Sequence, residues 1–104
     1  MNIIVQSLHF KASAQLEQFV HKKLNRIFRL TDAVESVHVT LYEDGNPGNQ
    51  VCEIRLAVPG NDVFVKKNAA TYEQAILQSV EAAQKIIRRR KKTPESVVPP
   101  LLEE

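Results

Sequence analysis

The apolar positions of this chain change period along its length, and each change marks an element. Residues 2–8 (NIIVQSL) are short and rich in β-branched side chains, which predicts a strand with Ile3 and Val5 turned toward a core. From Ser13 the period lengthens. Leu16, Phe19, Val20, Leu24, Ile27 and Phe28 recur at helical spacing and predict a helix over 14–29, with the Ser13 hydroxyl placed to cap its first turn. Over 35–43 the period shortens to two. Val37, Val39 and Leu41 share one face and Ser36, His38, Thr40 and Tyr42 the other, the signature of a half-buried strand. Gly45-Asn46-Pro47-Gly48-Asn49 offers residues that tolerate positive φ and a proline that cannot join a ladder, so it is read as a loop. Residues 51–58 (VCEIRLAV) and 63–67 (VFVKK) predict two more strands, joined by a tight turn at Pro59-Gly60-Asn61-Asp62. Thr71 and Gln74 stand at capping-box spacing, and Ala75, Ile76, Ser79, Val80, Ala83, Ile86 and Ile87 carry the helical period on to Lys92. Beyond it, residues 93–104 hold three prolines and no periodicity, and are expected to be a disordered, acidic, Pro-rich tail.

The predicted order is β-α-β-β-β-α. Each helix carries one apolar stripe and each strand one main apolar face, so the fold class expected is α+β, a four-stranded sheet with both helices packed on one of its faces. A crossover makes strand 2 parallel to strand 1, and two hairpins then reverse the direction twice. Both helices therefore run against strands 1, 2 and 4, and their C-terminal ends come to the same edge of the sheet. One domain over 1–92 accounts for every periodic segment, in keeping with a length of 104 residues.

Composition narrows the function classes. No apolar run approaches the roughly 20 residues that span a bilayer, and the N-terminus lacks the charged and apolar segments of a secretory signal, so neither a membrane partner nor export is expected. Cys52 is the only cysteine and sits in an apolar strand, as a buried small hydrophobe would; a cytoplasmic location is the corresponding expectation. The formal net charge of +2 conceals an asymmetry: residues 1–92 hold 14 Lys/Arg against 9 Asp/Glu, while 93–104 hold three Glu and no cation.

The positive charge collects at the two helix ends. At about 100° per residue, Lys85, Arg88, Arg89 and Lys92 lie opposite the Ile76/Val80/Ala83/Ile87 stripe. Lys22, Arg26 and Arg29 lie opposite Leu24 and Ile27, with Lys23 on the flank. One or two cations at a helix C-terminus complement its dipole, but a run such as Arg88-Arg89-Arg90-Lys91-Lys92 adds repulsion at i,i+3 and i,i+4 that offsets that gain. A polyanion site explains the clustering better than a solvated face, and arginine's forked donors suit the phosphates of folded RNA. Lys66 and Lys67, with Arg90 and Lys91, are secondary candidates, Lys66 and Lys67 being divided evenly between edge protection and RNA contact. Tyr42 fits an aromatic supporting a sheet face better than a platform for a base.

Catalysis finds no support. His9, His21 and His38 fall on different elements without metal-ligand spacing, no nucleophile or zinc motif is present, and glycine is too scarce for a phosphate-cradling loop. Glu43 and Asp44 read as turn acids. No metal, cofactor or small-molecule substrate is expected. The competing reading is a regulatory protein-interaction module that binds an acidic protein surface.

The stretches Ile3-Ile4-Val5-Gln6-Ser7-Leu8-His9-Phe10, Phe19-Val20-His21-Lys22-Lys23-Leu24-Asn25-Arg26-Ile27, Val58-Pro59-Gly60-Asn61 and Thr71-Tyr72-Glu73-Gln74-Ala75-Ile76 together resemble the ribosome hibernation promoting factor and ribosome-associated inhibitor family, over nearly all of residues 1–92. The resemblance implies a fold similar to the double-stranded-RNA-binding domain. It further implies a non-enzymatic protein seated on ribosomal RNA of the small subunit, where messenger and transfer RNA would lie, inhibiting translation in stationary phase or stress. By position, Lys23, Arg26 and Arg29 match basic sites on the family's first helix, and Lys85 and Arg89 match sites on its second. Thr71 and Glu73 stand where many members have Asp and Tyr, and Ala82 where Lys is common, which shifts the expected contacts toward Arg88, Arg90, Lys91 and Lys92. Long members carry a further dimerisation domain, so this chain resembles a short form.

Overall fold

A computed structural model of the chain describes residues 2–45 and 48–92, without the side chains of Lys91 and Lys92. The expected tail lies outside these residues. Six elements follow in the predicted order: β1 (Asn2–Ser7), α1 (Ala14–Phe28), β2 (Ser36–Glu43), β3 (Gln50–Ala57), β4 (Val63–Ala69) and α2 (Tyr72–Lys92).

Local chemistry sets the helix starts. The Ser13 hydroxyl accepts the Leu16 backbone N–H at 3.0 Å, relieving one of the four unpaired donors that open any α-helix. Thr71 does the same for α2, its hydroxyl accepting the Gln74 N–H at 3.2 Å. At the other end of α1 the Arg29 and Leu30 N–H groups close onto Asn25 and Ile27 carbonyls, and the chain turns back toward β2.

The four strands form one sheet in the order β1-β2-β3-β4, with β1 parallel to β2 and both hairpins antiparallel. In the β3–β4 turn Gly60 has a φ of 92°, a conformation that side chains rarely adopt and that follows naturally after Pro59. β4 runs two residues beyond the predicted 63–67, because Asn68 and Ala69 still pair with Val51 and Gln50. The KKNA stretch lacks apolar alternation, so hydrophobic period alone ends the strand too soon.

Alternation decides the two faces. Val37, Val39, Leu41, Cys52, Ile54, Leu56, Val63 and Val65 point into the core, where they meet Leu16, Val20, Leu24 and Ile27 of α1 and Ala75, Ile76, Val80, Ala83 and Ile87 of α2. Ile3 and Val5 pack against the same core, as expected. The helices also pack on one another. Deep among these apolar groups, the Ser79 hydroxyl is buried and donates to the Cys52 carbonyl at 3.2 Å, which ties α2 to β3 without leaving a polar atom unpaired. The opposite face of the sheet is uncovered and leaves Ile4 and Phe64 about half exposed, with the Arg55 guanidinium 5.6 Å from the centre of the Phe64 ring. Val51, though on this open face, is buried.

Burial pushes the Cys52 thiol up to about 12. Its folded value exceeds its unfolded one, so its contribution to stability is whole below pH 9 and is lost as pH rises toward 12. In the native protein at pH 8, a thiol reagent is expected to modify Cys52 at least about 100-fold more slowly than in urea, since both burial and the shortage of thiolate protect it. Labelling at comparable rates in the two states would mean that β3 opens readily.

Candidate nucleic-acid interface

Topology brings the C-terminal turns of the two basic helices to one end of the molecule. β4 runs parallel to β2 and β1, and each helix folds back along the strand before it, so α1 and α2 run side by side in the same direction. Their C-terminal turns share one end of the molecule with the starts of β1, β2 and β4. One contact pins this arrangement: the Arg90 guanidinium of α2 donates to the Asn61 carbonyl at 2.6 Å and reaches the Asp62 carbonyl at 3.5 Å, in the turn that opens β4.

On α1, Lys22, Arg26 and Arg29 are exposed and line a shallow depression together with Lys23 and Asn25. Lys23 is half buried and carries its ammonium 5.3 Å from the Phe19 ring centre, a flank position that covers apolar surface with its stem. Asn25 is a polar neighbour that counting charges passes over.

On α2, Lys85, Arg88 and Arg89 are exposed. Lys85 and Arg89 lean over the edge of the sheet, where Lys67 of β4 joins them around a second cleft that also includes Gln78 and Glu81. By helical geometry Arg88 lies on the other side of the ridge, toward α1. Among the described residues no carboxylate pairs with Lys22, Arg26, Arg29, Lys85 or Arg88, so their charge is open to an external anion. The side chains of Lys91 and Lys92 lie outside the described set.

The two lysines of β4 part company. Lys67 stands in register with Cys52 and joins the α2 cleft, whereas Lys66 stands opposite Glu53 on the open face. There the Tyr42 hydroxyl donates to the Glu53 carboxylate at 2.5 Å, and that hydrogen bond, which favours the protonated phenol, is the chief cause holding Tyr42 above the usual phenol range. Lys66 in turn is raised by its hydrogen bond to Tyr42. Tyr42 is thus bound into a cross-strand polar group, the sheet-supporting role expected of it. Arg90 serves as the tether described above, with both terminal nitrogens of its guanidinium turned to backbone carbonyls.

His9, His21 and His38 lie apart; His38 shares a hydrogen bond of 3.1 Å with Gln6 on the open face. Among the described residues no group of three or more His, Cys, Asp or Glu could hold a metal ion, and no helix is long and apolar enough to cross a membrane. Glu43 and Asp44 sit at the β2–β3 loop as turn acids, accepting from the Gln50 and Asn49 amides at 3.5 and 3.4 Å.

This architecture is shared. The structure resembles a ribosomal subunit interface protein from Coxiella burnetii, with a TM-score of 0.81 and 16% sequence identity over 89% of this chain and 100% of that one. It also resembles the Protein Y N-terminal domain of Thermus thermophilus, with a TM-score of 0.76 and 27% identity over 86% of this chain and 98% of that one. No curated protein sequence matches the chain. A family model, Sigma 54 modulation protein / S30EA ribosomal protein, matches residues 3–94, which takes in every strand, both helices and both basic stripes. With sequence and fold in agreement over that whole span, the chain belongs to the Sigma 54 modulation protein / S30EA ribosomal protein family, whose members are ribosome-associated factors and not enzymes.

Proposed function

We propose that this protein binds ribosomal RNA of the small ribosomal subunit through the basic ends of α1 and α2, lies where messenger and transfer RNA would pass, and so inhibits translation in stationary phase or stress. The observation that carries this reading is the parallel packing of the two helices, which brings Lys22, Lys23, Arg26 and Arg29 to the same end of the molecule as Lys85, Arg88 and Arg89. Lys92 extends the same stripe in sequence, and Lys67 joins it from β4. Lys66, on the far face, and Arg90, held by the turn, are lesser contacts; Lys91 is a further cation of the same run.

A surface of this kind reads phosphate geometry, since Arg forks fit two oxygens of one phosphate and no aromatic recognition motif accompanies them. The family's description as an S30EA ribosomal protein, with a similar structure named for the ribosomal subunit interface, supports the ribosome as the partner, and the cytoplasm as the place of action follows from it.

Cosedimentation with purified small subunits tests the proposal. At about 50 mM salt the protein is expected in the ribosomal pellet, and with about six phosphate contacts its affinity should fall about 10³-fold by about 200 mM. A protein left in the supernatant at low salt would refute the reading. A flat salt response, or binding that survives excess ribosomal RNA, would point to an acidic protein surface as the partner.

A further inference from the structure

The end of the sheet away from the basic helix termini carries a second, differently built cleft. It opens between the β1–α1 loop and the first turn of α2, and His9, Phe10, Glu43, Gln50 and Tyr72 contribute to its lining. The Phe10 and Tyr72 rings are stacked there, 4.7 Å apart and within 12° of parallel, and form an aromatic plate. Glu43 closes one side. Its carboxylate accepts a long 3.5 Å hydrogen bond from the Gln50 amide, and among the described residues no Lys or Arg pairs with it. Burial first, and then the Glu43 charge, hold the Tyr72 hydroxyl above the usual phenol range.

The charge of this end is the reverse of the other. The described segments that meet here, 8–17, 43–45, 48–50 and 68–74, contain Glu17, Glu43, Asp44 and Glu73 against Lys11, and of these charged groups Glu43 lines the cleft. His9 lines it with a φ of 69°, a left-handed conformation that His, like Asn and Asp, adopts more readily than most residues.

We propose that this cleft receives an arginine side chain presented on a basic peptide segment of a partner protein. A guanidinium is planar, stacks on an aromatic face and forks onto a carboxylate, so the Phe10/Tyr72 plate and the Glu43 oxygens meet both of its properties at once. An ammonium can approach the ring face but has no plane to stack and no fork for the carboxylate. A nucleic-acid strand is disfavoured, because its phosphates would meet Glu43 and Asp44. The cleft lies at the opposite end from the helix termini, so its occupancy neither requires nor hinders RNA contact there, and the inference stands apart from the ribosomal reading.

The test is a titration of the full ¹⁵N-labelled chain with the peptide Gly-Arg-Gly-Arg-Gly, followed by backbone amide shifts. Saturable shifts confined to residues 8–10, 43–45, 48–50 and 71–73 are expected, with the Lys-for-Arg peptide at least about fivefold weaker. Glu43→Gln should raise the dissociation constant about tenfold, as loss of one charge-assisted hydrogen bond would. Tyr72→Leu, which keeps apolar bulk and removes one ring of the stack, should weaken the arginine peptide more than the lysine peptide. Arg26→Glu with Arg89→Glu should leave the titration unaltered, which separates this site from the RNA face. Shifts scattered over the surface, binding insensitive to both Glu43→Gln and Tyr72→Leu, or a short RNA that produces the same shifts at lower concentration would overturn the proposal.

Discussion

Reversing the charge of Arg26 and Arg89 together, as Arg26→Glu with Arg89→Glu, is expected to lower affinity for the small subunit by about 100-fold or more at moderate salt. Each substitution removes a charge-assisted hydrogen bond to phosphate, typically ~1.5–3 kcal/mol, and two such losses make at least about 3 kcal/mol, or roughly two powers of ten. The acids also repel the backbone they face, and the salt slope should fall by about two, one for each lost contact. Both side chains are exposed, so helical signal and thermal midpoint should hold. Because Arg89 makes a contact of its own within the protein, Arg26→Glu with Lys85→Glu is the companion variant. If both pairs still bound with unchanged affinity, the helix ends would not be the RNA face.

Leu24→Ala tests the scaffold instead of the surface. Leu24 is fully buried, one turn of α1 surrounded in sequence by the cations it positions. Truncation removes most of the side chain and leaves a cavity that the packed sheet and α2 cannot fill, at a cost of about 2–5 kcal/mol. For a domain of this size that is a drop of about 10 °C or more in midpoint. Urea unfolding should report the loss, while subunit affinity measured well below the midpoint should change less than about threefold, because the exposed cations are untouched. A variant of full stability would show that Leu24 is not the core residue its burial makes it.

The two experiments separate what the molecule reads from what holds it together, and the same division runs through what could be foreseen. The helix and strand periods, the Ser13 and Thr71 caps and the Pro59-Gly60 turn are local, and each stood in the sequence nearly where the structure has it. β4 was the exception, since backbone pairing carries an edge strand past the last apolar residue. The exposed stripe of each helix was equally legible, because a charge opposite a buried leucine or valine has one direction to go. Lys66 and Lys67 are adjacent in the sequence, yet strict alternation on a strand sends them to opposite faces, a separation the local pattern already carries.

Arg90 shows the limit from the other side. Helical phase already sets Arg90 apart from Arg88 and Arg89, on the side of the Ile87 stripe, but its partners, the Asn61 and Asp62 carbonyls, lie nearly 30 residues earlier in the chain and no local period points to them. The same holds for the meeting of Lys67 with Lys85 and Arg89, and for the stacking of Phe10 on Tyr72. By itself the sequence determined the order of elements, their buried faces and the sign of charge on each exposed stripe, since all of these follow from periods of a few residues. Which distant side chains meet, which cations stay open and where acid and aromatic surfaces adjoin were decided only when the sheet register and helix packing brought remote segments within a few ångströms of one another.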